Sequence, residues 1–332
     1  MARWLYAVWY QQARGGFVLW PLEALFRTGV LLRRWLFRIG ALKSYAVDAR
    51  VVVVGNIAVG GAGKSPLTGW LATQLAAQGA TVAIVSRGYG GSARGAPLRV
   101  SSDTDAALCG DEAKMLAQAT GLPMYVARDR VAACVRASLD GAQLIVCDDG
   151  LQHYRLRRDV EIAVVDAERR HGNGHCLPAG PLREPVSRLH HVDLVVFNGS
   201  QDDAPSFVLQ TSHAINVVTG EQQPLAFFAD APVRALAGIA HPQRFFDALR
   251  AHGLSVEQID LADHGSATAA QRHPHDAEQV VLMTDKDVVK YDDLTARHWR
   301  VPAQVVMDAD AATQLLTVAG GVPIDGGERC ND

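Results

Sequence analysis

Residues 51–66 read VVVVGNIAVGGAGKSP. Four β-branched residues predict a buried strand, the glycine-rich run predicts a tight loop, and Lys64-Ser65 opens the helix that follows. This is the grammar of a phosphate-binding P-loop. Small residues let backbone N–H groups turn inward around phosphate oxygens, the lysine adds positive charge near the β- and γ-phosphates, and the serine hydroxyl can hold Mg²⁺. The strict spacing asks for glycine six residues before the lysine, where Ala58 stands. Pro66 fits a first helical turn, whose N–H has no intrahelical use. A dinucleotide fold is disfavoured, because Pro66 occupies the third glycine of a GxGxxG register starting at Gly61.

The rest of the chain extends the pattern. TVAIVSRGYGG, QLIVCDDG, VEIAVVDA and VDLVVFNG are apolar strands alternating with helices near 67–78, after Gly110-Asp111-Glu112, and near 130–139. Such alternation predicts an α/β fold, a P-loop NTPase-type parallel sheet with helices on both faces, and ligands bind such sheets at the carboxyl ends of their strands. Lys64, Arg87 and the pair Asp148-Asp149 all fall at those ends. Residues 49–200 are read as the P-loop domain, 201–231 as a linker, 232–319 as a smaller second α/β domain, and 320–332 as a loose tail.

Composition narrows the class. A chain of 332 residues with 20% charged residues and net charge −3 is long enough for two cores. Its five cysteines are odd in number and lack CxxC spacing, which disfavours disulfides and a cysteine-based zinc site. Charge is unevenly spread: residues 1–50 hold eight basic against two acidic residues, a balance of +6, leaving −9 on the remainder. The segment 1–48 also carries four of the six tryptophans. At 100° per residue Leu22, Leu25, Phe26, Leu32, Trp35, Leu36 and Ile39 share one face of a helix, while Arg27, Arg34 and Arg38 cluster on the other and Arg33 breaks the pattern. Such a helix is read as a contact with an anionic membrane surface, the alternative being a helix packed on the protein's own core with its arginines solvated. The segment has no uncharged apolar run of the ~18 residues needed to span a bilayer.

Individual motifs carry specific chemistry. Asp148 or Asp149, ending the strand Leu144–Cys147, is the Walker B acid expected at Mg²⁺, and Ser65 joins the metal site. Asp111 opens a helix and serves either as its cap or as a catalytic acid. Arg87 ends a strand in a glycine loop, and Arg183-Glu184 sit in a proline-bounded loop. Thr284-Asp285-Lys286-Asp287 approaches a guanine-reading element, but its lysine comes one place too late and a guanine site is excluded.

Taken together, GNIAVGGAGKSP, SRGYGG, GDE, DDGLQH, GPLRE, DH and TDKDVVK resemble the tetraacyldisaccharide 4'-kinase family of lipid A biosynthesis, in family order from about residue 51 to 290. The resemblance implies transfer of the ATP γ-phosphoryl to the 4'-hydroxyl of a tetraacylated glucosamine disaccharide 1-phosphate, giving lipid IVA. It implies ATP and Mg²⁺ as cofactors, a peripheral position on the cytoplasmic face of the inner membrane, a glycolipid and an anionic membrane surface as partners, and neither nucleic acid nor an obligate protein partner. Asn56, Gly60, Gly61, Ala62, Gly63, Lys64 and Ser65 become nucleotide contacts, and Asp148 and Asp149 metal or active-site acids. Asp111 becomes the base for the sugar hydroxyl, assisted by His264, with Lys64 at the transferring phosphate. Arg87, Tyr89, Arg130, His153, Arg183 and Glu184 become substrate or nucleotide contacts. Ser65 stands in place of the more usual threonine, and GSATAAQ after His264 lacks the expected second histidine and aromatic. The rival expectation is a membrane-associated regulatory NTPase.

Overall fold

The computed structural model describes residues 2–11, 15–101, 103–201, 204–261, 265–273 and 278–320. The chain divides into two compact units, each assembled from separated stretches. The first comprises Met1–Val85, Cys134–Val208 and the segment from Met307. In it the strands lie side by side in the order Ser206–Gln210, Leu194–Asn198, Val160–Asp166, Arg50–Gly55, Leu144–Asp148, Val82–Ser86, and every neighbouring pair is parallel. The central strands are buried along nearly their whole length, which is why they read as continuous Val/Ile runs. The chain leaves Arg50–Gly55, passes over the place later filled by Leu144–Asp148 to reach Val82–Ser86, and returns to the opposite side through Val160–Asp166. The reversal puts a crevice at the carboxyl end of Arg50–Gly55, where the P-loop begins.

The P-loop helix spans Lys64–Ala77, opening at Lys64 with Pro66 inside its first turn. Its N-cap Gly63 has φ 85, and a Cβ there would lie 2.6 Å from Asn198 Nδ2. Only glycine meets both demands. The final helix Ala309–Gly320 also belongs to this unit: Arg50 Nε donates to Ala319 O at 2.9 Å, and Gly320 packs on Leu75. It is therefore not part of the second unit, as the expected boundary at 319 had it. The tail expected from 320 onward lies, after Gly320, outside the described residues.

In the N-terminal segment a helix Ala2–Tyr10 is followed by the amphipathic helix Trp20–Arg38, which carries Pro21 in its first turn and is called the N-terminal helix below. One face docks. Glu23 is buried and accepts from His175 Nδ1 at 2.7 Å and Cys176 N at 2.9 Å. Phe26 packs on the cluster of Ile57, Cys176 and Leu182, and Phe37 meets Tyr154. Arg33, which spoiled the helical pattern, lies over both the Phe37 and Tyr154 rings. Phe26 was expected on the outward apolar face and is turned inward instead. Leu22, Leu25, Leu32, Trp35 and Ile39 are each more than half exposed. Among the described residues no helix is long and apolar enough to cross a membrane.

The second unit joins Ser86–Ala133 to Leu209–Val306. Its six-stranded sheet runs Gln222–Pro224, His213–Asn216, His298–Val301, Val281–Thr284, Val233–Ala237, Val256–Asp260. The last four are parallel and the first two antiparallel. The stretch 201–231, expected as a linker, thus supplies ordered strands at Ser206–Gln210, His213–Asn216 and Gln222–Pro224, the last of them within the polar GEQQP run, and Phe207, Ala214 and Leu225 are fully buried. Residues 86–133, assigned by sequence to the P-loop domain, belong with this unit. They hold the antiparallel pair Leu98–Val100 and Met124–Val126 and the helix Asp111–Thr120.

A buried ionic cluster braces the first unit. Arg188, 3% exposed in its side chain, makes two 2.6 Å contacts to Glu161 and lies 3.8 Å from Glu184. Glu184 in turn accepts from the Tyr154 hydroxyl and from Gln152 Nε2 at 3.1 Å. Burial, and then the adjacent Glu184 carboxylate, push Tyr154 up to about 12, so it donates throughout the neutral range. Glu161 keeps a second partner in Arg158 Nε at 3.0 Å, so removing Arg188 takes the nearby cation chiefly from the buried Glu184, which should cost about 3 kcal/mol. Arg188→Met is therefore expected to lower the thermal midpoint by several degrees in calorimetry, and an unshifted midpoint would refute this bracing role.

Candidate active site

Two successive aspartates at the end of Leu144–Asp148 hold the site together. Asp148 is 1% exposed and accepts from Ser65 Oγ at 2.8 Å and Thr68 Oγ1 at 3.1 Å. Ser65 and Thr68 are three residues apart on the P-loop helix and so share the face that meets the strand. Asp149 turns the other way. Its φ of 51 is a left-handed conformation that aspartate tolerates better than most residues, and its carboxylate meets Arg183 Nη1 at 3.0 and 3.1 Å and Lys64 Nζ at 3.6 Å. Two adjacent negative charges are thereby given separate partners, one in the interior and one in the crevice.

The P-loop is fixed from both sides. Asn198 Nδ2 donates to Ala62 O at 3.2 Å, while Val59 N and Arg183 N donate to Pro181 O at 2.9 Å and Ile57 O at 2.6 Å. The bridges Ala58↔Leu182 and Cys176↔Leu182 tie the same loop to the segment that Glu23 holds. Gly60 has φ 111 with open space around it, so the Gly60–Gly63 backbone is free to curve around an anion. Asn56 is 2% exposed, and its carbonyl receives Gln152 Nε2 at 3.0 Å.

The structure thus gathers Lys64, Ser65, Asp148, Asp149 and Arg183 into one constellation beside Gly60–Gly63. Its donor set fits a hard divalent cation: a hydroxyl and a carboxylate oxygen 2.8 Å apart, next to a phosphate cradle, are the few protein ligands Mg²⁺ takes when phosphates and waters complete its shell. Glu184, expected to contact substrate, has its carboxylate committed inward to Tyr154, Gln152 and Arg188, and is 1% exposed. It supports the loop that presents Arg183. His153 is half-buried in the turn closed by its N–H to Gly150 O. Sequence reasoning missed Thr68, Gln152 and Asn198; the phase of Thr68 relative to Ser65 was the one available signal.

In the second unit the glycine motifs lock together. A Cβ on Gly110 would lie 2.3 Å from Tyr89 O, and one on Gly91 2.4 Å from Leu108 O, so SRGYGG and CGDE pack backbone to backbone. Gly110 takes the cap position, and Asp111 is the first helical residue. That carboxylate stands 3.9 Å from Lys290 Nζ, and neighbouring Glu112 3.4 Å from Lys286 Nζ. Arg87 and Tyr89 are exposed, and Arg130 is buried at the start of the helix Arg130–Leu139. His264 lies outside the described residues.

Comparison with known proteins agrees with this geometry. The family model described as tetraacyldisaccharide-1-P 4'-kinase matches residues 16–319. A tetraacyldisaccharide 4'-kinase of Nitrosococcus oceani is 42% identical over 93% of this chain and 92% of its own length. Those of Stenotrophomonas maltophilia and Halorhodospira halophila are 46% and 44% identical, over 85% and 93% of this chain and 86% and 95% of theirs. Among solved structures, LpxK from Aquifex aeolicus in complex with ATP superposes with a TM-score of 0.76 at 24% identity, covering 91% of this chain and 98% of that one, which is a likeness of fold. With a P-loop, paired strand-end aspartates and a match running almost end to end, the chain belongs to the tetraacyldisaccharide-1-P 4'-kinase family.

Proposed function

We infer that this protein transfers the γ-phosphoryl of ATP to the 4'-hydroxyl of a tetraacylated glucosamine disaccharide 1-phosphate, giving lipid IVA. The observation that carries this reading is the Lys64–Asp149–Arg183 and Ser65–Asp148–Thr68 constellation beside the P-loop, within a chain of this family. Phosphoryl transfer asks a protein for positioning and charge more than for covalent chemistry. Backbone amides of Gly60–Gly63 and the helix N-terminus hold the phosphates, Lys64 follows charge onto the departing oxygens, and Arg183 supplies a second cation at the same place. Ser65 and Asp148 would hold Mg²⁺. When bound, that ion neutralises phosphate charge and fixes the phosphate orientation. Asp111 accepts the proton of the 4'-hydroxyl as its oxygen bonds to phosphorus and the bond to ADP breaks, with His264 assisting. Arg87, Tyr89, Arg130 and His153 are assigned to substrate or nucleotide contacts.

A tetraacylated acceptor stays in its bilayer, so the enzyme must come to it. The outward stripe of Leu22, Leu25, Leu32, Trp35 and Ile39, with Arg27, Arg34 and Arg38 off its edge, supports a peripheral seat on an anionic leaflet, which we assign to the cytoplasmic face of the inner membrane. The helix is docked through Glu23, Phe26 and Phe37, so its apolar stripe is not needed for the protein's own packing.

Lys64→Ala should lower the transfer rate on the order of 10³-fold in a folded protein, by removing charge that acts chiefly in the transition state. Near-normal rates would sink the P-loop assignment. Reversing Arg27, Arg34 and Arg38 to glutamate should weaken co-sedimentation with anionic vesicles at roughly 1 kcal/mol or more per residue, an effect that added salt should imitate. Vesicle binding indifferent to both the substitutions and salt would refute the membrane seat.

A further inference from the structure

TDKDVVK is part of the family resemblance, yet neither the nucleotide site nor the proton acceptor accounts for it. In the structure it closes the strand Val281–Thr284 and starts a short helical turn. Asp287 has no exposed surface, and its carboxylate accepts from Gly238 N at 2.8 Å, Thr284 Oγ1 at 2.6 Å and Lys290 Nζ at 2.7 Å. A Cβ on Gly238 would fall 2.7 Å from Asp287 Oδ1 and 3.1 Å from Lys290 Nζ, so the pocket is shaped to the ion pair. Lys290, 5% exposed in its side chain, also donates to Gly265 O at 2.9 Å and stands 3.9 Å from Asp111 Oδ2. Its ammonium is thus shared among three oxygens, two of them hydrogen-bonded and the third, on Asp111, at ion-pair distance. The segment after Gly265 is held again by Tyr291, whose hydroxyl accepts from Ala267 N at 2.6 Å.

A lysine is flexible and strongly hydrated, and burying one is costly unless every proton is used. Asp287 removes its freedom. With two of its contacts fixed to an internal carboxylate and a backbone carbonyl, its charge is held beside Asp111. We propose that Lys290 is a positioning residue for phosphoryl transfer, holding the Asp111 carboxylate and the Gly265 carbonyl in fixed places through the buried anchor Asp287. The proposal rests on the reading of Asp111 as the proton acceptor. Lys286, beside Glu112, repeats the arrangement one helical position along and at a looser 3.4 Å.

The test uses the full chain with ATP, Mg²⁺ and the disaccharide lipid in detergent micelles. Lys290→Gln keeps a donor for Asp287 while withdrawing the charge and reach towards Asp111. It should lower kcat on the order of 10²-fold, the scale of a misplaced catalytic group, with the KM for ATP within about twofold of the unmodified protein. Lys290→Arg should recover at least about tenfold of that loss. Because Lys290 acts through Asp111, Lys290→Gln combined with Asp111→Asn should be no slower than Asp111→Asn alone. An unchanged kcat in Lys290→Gln, or losses that multiply in the combined variant, would overturn the proposal. If Lys290→Gln does not fold, Lys290→Gln with Asp287→Asn removes the pair together and leaves no stranded charge; the same kcat loss is expected there, and normal kcat would refute it. Full activity in Asp111→Asn alone would instead show that the proton-acceptor reading has failed, a result separate from the Lys290 measurements.

Discussion

Two carboxylates on adjacent residues, at the end of a buried strand, repel one another unless each is given its own partners. Asp148 is drawn into the interior by Ser65 and Thr68, and Asp149 outward by Arg183 and Lys64. The rest of the first unit serves this division. The parallel register pairs Val54 with Asp148, so the strand that launches the P-loop and the strand that delivers the acids end together. Asn198, on a strand two places from the P-loop strand, reaches back to Ala62 and forces glycine at position 63. Moving any one of these strands by a residue would bring the wrong side chains to the crevice.

The N-terminal helix is tied to the same loop by a short series of contacts. Glu23 holds Cys176, Cys176 bridges to Leu182, and Leu182 bridges to Ala58 in the P-loop. One helix therefore uses its polar and aromatic face to brace the phosphate site and leaves its aliphatic face outward. Glu23, the one acid in the helix Trp20–Arg38, is therefore structural, and its charge is satisfied inside.

What the sequence made legible was local. The strand, the glycine loop and Lys64-Ser65 are consecutive, so their chemistry could be read from order alone, and the buried strands were plain from unbroken Val/Ile runs. The division of the chain was not, because residues 86–133 and 209–306 come together across more than seventy intervening residues and no local signal marks that. The short strands between 206 and 224 were hidden by the polar turns between them. Within the site, Glu184 looked like a clamp because it follows Arg183, yet alternation along an extended loop sends neighbouring side chains in opposite directions, one to Asp149 and the other to Tyr154. Lys290 was visible only as part of a motif, since its partners Asp111, Gly265 and Asp287 are distant or unmarked in the sequence.

On this reading the crevice passes a phosphoryl group to a lipid hydroxyl rather than to water or a protein. The direct measurement is incubation of the purified protein with γ-labelled ATP, Mg²⁺ and micellar tetraacyldisaccharide 1-phosphate, followed by location of the new phosphate by ³¹P NMR and fragmentation mass spectrometry. The account predicts one labelled phosphate per lipid, on the 4'-oxygen of the distal glucosamine, with free phosphate a minor product. Label released mainly as inorganic phosphate, with the lipid unchanged, would contradict it.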